Sequence, residues 1–151
     1  MIRRLAMMAL LLVATGGAMA ATGDTQITGD TFVIDETEGE ATFTGNVVVQ
    51  RTGLTVWATK VVIEYGAAGP EDVQTFTATG RVRIKTKDQD ATGDRAVFDP
   101  ATNLLHMTGN VVVVNKTGTL NGPEMTVNLD DNSTVFKGGK GGRVTGVFST
   151  Q

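Results

Sequence analysis

Thr44-Gly45-Asn46-Val47-Val48-Val49 returns letter for letter as Thr108-Gly109-Asn110-Val111-Val112-Val113. The same offset maps Thr28-Gly29-Asp30 onto Thr92-Gly93-Asp94, Val33 onto Val97 and Asp35 onto Asp99. It also carries Val56 to Leu120, Ile63 to Val127 and Tyr65 to Leu129, so apolar character persists where identity has gone. A third copy, Thr79-Gly80-Arg81-Val82-Arg83-Ile84, lies between the two. The chain reads as stacked units of about 30 residues, each a Gly-led strand, a turn and a return strand, which is the mark of a repetitive or elongated β architecture.

Working outward, strict alternation governs what flanks these copies. Phe32 and Ile34 fall on one face, with Thr31, Val33 and Asp35 on the other. Ala41 and Phe43 share a face with Val47 and Val49; Leu54 and Val56 alternate with Thr55 and Trp57; Val61, Ile63 and Tyr65 alternate with Lys60, Val62 and Glu64. The segment from Gly66 to Asp72, containing Gly69-Pro70, is a bend at the midpoint. Beyond it the pattern resumes with Val82 and Ile84, Phe98, Leu105 and Met107, Val111 and Val113, Leu120, and Met125, Val127 and Leu129. No stretch after the first twenty residues repeats apolar side chains at helical spacing, so the expectation is an all-β domain of about twelve or more short strands.

Residues 1–20 stand apart. Arg3 and Arg4 precede an apolar run from Leu5 to Ala14, and Ala18-Met19-Ala20 follows, which predicts a signal peptide cleaved after Ala20 and a single domain over residues 21–151. Of 13 basic residues two lie in this leader and none of the 16 acidic ones does, so the remainder is more acidic than the whole chain's net charge of −3. That balance argues against a nucleic-acid partner, which would call for a basic stripe. With no cysteine in an exported chain, stability must come from burial and strand pairing.

The residues leave little for catalysis. His106 is the one histidine and alternation points it away from Leu105 and Met107, so no nucleophile–base pair or histidine metal cluster is available and no enzyme activity, metal or cofactor is expected. Asp88, Asp90, Asp130 and Asp131 read as turn aspartates, with too few partners at fixed spacing for a calcium loop. The Lys137–Arg143 loop fails the phosphate-loop pattern at Thr134 and Gly141 and reads as a solvated loop, with contact to a lipid phosphate through Lys137, Lys140 and Arg143 as the alternative. Arg81, Arg83, Lys85 and Lys87 read as a basic row on an outer strand face.

What remains is the apolar face itself: Ile27, Phe32, Ile34, Ala41, Phe43, Val47, Val49, Leu54, Val56, Val61, Ile63, Tyr65, Val82, Ile84, Phe98, Leu105, Met107, Val111, Val113, Leu120, Met125, Val127 and Leu129. It is either an ordinary sandwich core or, being short of large side chains, the lining of a slot that acyl chains enter. A sugar site would be lined by aromatics and polar groups, and a purely structural repeat would carry more copies around a closed core.

From Ile27 to Tyr65, with Phe43-Thr44-Gly45-Asn46-Val47-Val48-Val49 and Ala58-Thr59-Lys60-Val61-Val62-Ile63, the chain resembles the OstA-like family of periplasmic lipopolysaccharide-transport proteins. The resemblance continues through Met107-Thr108-Gly109-Asn110-Val111 and Leu120-Asn121-Gly122 to Gly142-Arg143-Val144, with a shorter midpoint insertion and a glycine-richer final loop. It implies a twisted, V-shaped antiparallel β-jellyroll whose apolar groove carries the lipid A part of lipopolysaccharide. It also implies head-to-tail self-association into a bridge from the inner-membrane component C to the outer-membrane translocon component D. The assembly edges would then be the strands Ile27–Ile34 and Arg143–Ser149, with Ile27, Ile34, Arg143, Val144 and Val147 as contact residues. Retention of residues 1–20 would instead fit the membrane-anchored component C, and a non-lipid structural β-repeat is the remaining alternative.

Overall fold

The computed structural model describes residues 25–139 and 142–149; the leader expected over residues 1–20 lies outside them. Ten strands follow in order: β1 (Gln26–Thr28), β2 (Thr31–Asp35), β3 (Glu40–Arg51), β4 (Leu54–Tyr65), β5 (Val73–Thr86), β6 (Gln89–Asp99), β7 (Leu104–Asn115), β8 (Gly118–Asn128), β9 (Ser133–Lys137) and β10 (Thr145–Phe148). All pair antiparallel in one sheet, as a meander from β3 to β8. Strands β1 and β2 share the outer side of β3, while β9 and β10 share that of β8, so each edge strand is split in two.

There are fewer strands than the sequence pattern implies because the Gly-led positions interrupt pairing without ending the strand. Gly45 and Asn46 both take positive φ, at 83° and 47°.

 The same left-handed pair recurs at Gly80-Arg81 (79° and 50°) and Gly109-Asn110 (81° and 49°). Glycine and asparagine tolerate that region, where most side chains meet the following carbonyl. Each pair is a bulge, two residues of one strand standing opposite a single residue of the next: Thr59 faces the first, Asp94 the second and Pro123 the third.

The bulges line up across the sheet as a crease, at which every long strand bends, and the sheet doubles over into two layers. One layer holds β2, β9 and the halves of β3–β8 that pair with them; the other holds β1, β10 and the remaining halves. Arg51, at the end of β3 in the second layer, stacks over the ring of Phe98 in the first, with its guanidinium carbon 5.5 Å from the centroid. The repeated Thr-Gly-Asp segments lock the crease. Asn46 Nδ2 donates to Asp30 Oδ2 at 3.0 Å, Asn110 Nδ2 donates to Asp94 Oδ2 at 3.4 Å, and the Asp30 amide donates to the Gly45 carbonyl at 2.9 Å. In the middle copy Thr59 Oγ1 donates to the Gly80 carbonyl at 3.1 Å.

The core lies between the layers. Val47, Val61, Val82, Met107, Val111 and Val113 are fully buried, joined by Val56, Ala58, Ala78, Ile84, Ala91, Ala96, Leu105 and Met125. Alternation changes phase at the crease in β4, where Ala58 and Val61 both point inward, because Thr59 sits opposite the two-residue bulge. Outside, Arg83 makes a two-point ion pair with Asp90 and lies 5.2 Å over the Trp57 ring. Asp90 is therefore a strand residue of β6 and not the turn aspartate expected, and hydrogen bonding to Arg83 holds its carboxyl below the ordinary carboxylate range. The expected basic row is also broken up: Arg81 occupies a bulge and Lys87 lies in the β5–β6 turn.

Gly109→Ala would hold an L residue at positive φ and drive its Cβ into the Asp94 carboxylate. It should cost about 2–4 kcal/mol in urea unfolding. Gly53→Ala, at a similar φ with open space around it, should cost about 1 kcal/mol. Equal losses at the two positions would show that the crease contacts add nothing.

Candidate functional site

The interior is not uniform. At its centre the layers meet tightly, and Met107 is 0% exposed between its cross-strand partners Ala96 and Met125. Toward the β1–β2 edge they part, and an apolar cleft of about 330 Å³ opens, lined by Thr25, Ile27, Phe32, Ile34, Ala41, Phe43, Ile63, Tyr65, Pro70, Val73 and Phe76. The edge strand leaves large apolar side chains in the open: Phe32 is 50% and Ile34 48% exposed. Phe32 and Phe43 hold each other across β2 and β3 with ring centroids 4.5 Å apart.

The cleft continues inward. Thr25 and Phe76 also border a narrow apolar cavity of about 60 Å³, whose walls include Val49, Leu54, Val56, Val61, Ile84, Phe98 and Leu105. Arg51 and Leu54 then border a third, polar cavity of about 410 Å³, where the β3–β4 and β5–β6 turns face Val127, Leu129 and Asn132. On the outer side of the cleft, Ile34, Tyr65 and Pro70 border a space of about 540 Å³ beside Glu36 and Glu38. The Tyr65 hydroxyl is buried without a hydrogen-bond partner.

The sequence-predicted face thus divides. Ile27, Phe32, Ile34, Phe43, Ile63 and Tyr65 line the open cleft; Val49, Leu54, Val56, Val61, Ile84, Phe98 and Leu105 line the narrow cavity; Val127 and Leu129 line the polar one. Val47, Val82, Met107, Val111, Val113 and Met125 are packed core, and Leu120 lies against it. Phe76, Ala78 and Ala96 also line the interior and were missed: Phe76 and Ala78 stand in a threonine-rich strand, and alanine carries little apolar signal. Of the expected edge residues, Arg143 and Val144 precede β10, and Val147 lies within it, 67% exposed. His106 faces outward and pairs with Thr126, Nδ1 to Oγ1 at 2.9 Å. Among the described residues no group of histidine and carboxylate side chains is placed to hold a metal.

Residues 26–133 match the family described as LptA/(LptD N-terminal domain) LPS transport protein. No curated protein matches the sequence. The fold is similar to that of LptH from Pseudomonas aeruginosa, described as the LptA-homologous periplasmic component of the conserved lipopolysaccharide transport device. The TM-score is 0.73 at 16% identity, over 84% of this chain and 96% of that one. The chain belongs to the LptA/LptD N-terminal-domain family of lipopolysaccharide-transport proteins, a lipid-transport family and not an enzyme family.

Proposed function

We propose that this protein is a periplasmic carrier that conveys lipopolysaccharide from the inner to the outer membrane, holding its acyl chains between the two layers. The observation that carries this reading is the apolar cleft at the β1–β2 edge and its continuation into the interior. Burying acyl chains is worth about 0.8 kcal/mol per CH₂, so a multi-chain lipid faces a barrier of tens of kcal/mol to crossing water. A groove in which chains slide while staying dry removes that barrier without catalysis. The narrow cavity is too small for several chains, so loading requires the layers to part about the crease.

The reading includes head-to-tail assembly, with components C and D at the two ends of the bridge, and the sheet edges support it. Both sheet edges have unpaired backbone groups among the described residues, and both carry exposed apolar side chains, Phe32 and Ile34 on one and Val147 and Phe148 on the other. Strand addition at such edges would join the grooves of successive copies.

A photo-crosslinking side chain at Ile63 should trap lipopolysaccharide, and one at Val62, on the opposite face, should not. Ile63→Asp should abolish capture, since a carboxylate among acyl chains loses hydration without gaining a partner. Equal crosslinking at both positions would mean that the interior is an ordinary core.

The Ser149 amide bonds to the Thr117 carbonyl, so by alternation Val147 points its amide to β8 and Phe148 points its own to the free edge. Phe148→Pro should therefore reduce oligomers on light scattering while the monomer stays folded; unchanged oligomers would remove this edge from the assembly.

A further inference from the structure

The geometry points to a second element of the groove, a phosphoryl-binding site at Arg51 that orients a phosphorylated acyl lipid with its chains running toward Phe76 and the β1–β2 mouth. The inference rests on the lipid-carrier reading and adds polarity to it. Arg51 borders both the narrow apolar cavity and the 410 Å³ polar one. Its guanidinium covers Phe98, a wall of the apolar cavity, so the cation sits where hydrocarbon lining ends.

Among the described residues the one ion pair is Arg83–Asp90, which leaves Arg51 without a carboxylate partner in an acidic protein. Lys87 borders the same polar cavity, as does one acid, Asp88, together with the hydroxyl and amide side chains of Thr52, Thr86, Gln89, Asn103, Asn132 and Thr134. At the other end of the series of cavities, the charged side chains are Glu36 and Glu38. An anionic headgroup is thus favoured at the Arg51 end and repelled at the β2–β3 turn. Guanidinium suits a phosphoryl group because its planar fork donates two parallel hydrogen bonds.

The test compares lysophosphatidic acid with monoacylglycerol of the same chain length, by displacement of a fluorescent fatty acid from the full chain. The wild type should bind the phosphorylated lipid about tenfold more tightly. Arg51→Gln should erase that preference, so that the two lipids bind alike, while Arg51→Lys should retain part of it. Preference surviving in Arg51→Gln, or equal binding of the two lipids by wild type, would overturn the inference while leaving the carrier reading intact. Failure of both lipids to bind would instead remove the carrier reading. Inorganic phosphate should not displace the fluorescent fatty acid; displacement at the same concentration as lysophosphatidic acid would indicate a free-anion site and overturn the orienting role.

Discussion

The fold depends on a backbone constraint, the left-handed Gly-Asn pair held by an aspartate, Asp94 from the neighbouring strand β6 or Asp30 from the break between β1 and β2. Without it the long strands would continue as a flat sheet with one apolar face open to water. With it, two residues of one strand oppose one of the next, the strand bends, and the same bend repeated across the meander folds the sheet over its own apolar face. The middle copy reaches the same geometry with Arg81 in place of asparagine and Thr59 in place of aspartate, which shows that the bend and not the particular hydrogen bond is what the copies share.

Because the layers are halves of the same strands, the interior is widest where neighbours run out. In the middle of the meander each strand is flanked on both sides, and valine, alanine and Met107 fill the space. At the β1–β2 edge the strand is split and short, its side chains cover only part of the opposite layer, and the space between is left apolar and open. A cleft at an unpaired edge joins two properties that a transport conduit needs, dry walls and a backbone to which another strand can be added.

The outer surface is arranged differently. Arg83 is held between Trp57 and Asp90, and on the outward positions of the long strands threonine and charged side chains are interspersed with valines such as Val62 and Val114. The polar cavity at Arg51 lies at the opposite end of the slot from the apolar mouth, which gives the interior a direction.

The all-β class, the inward parity of residues such as Phe43, Ile63 and Leu105, and the importance of the Thr-Gly-Asn copies were legible in the sequence, because alternation and local backbone preference are properties of neighbouring residues. The copies looked like breaks between strands, since glycine and asparagine at positive φ serve turns and bulges alike; only the strand pairing that continues on both sides of them decides for the bulge. Which apolar residues are sealed and which line open space was equally out of reach. Met107 and Ile63 share the same alternation and both lie in strands paired on each side, but one is sealed beneath the opposite layer and the other faces the open cleft, and that difference is made by residues far away in the chain. Arg51 gave no sign in the sequence beyond its charge; its place at the end of the apolar lining exists only because the crease brings β3 over Phe98.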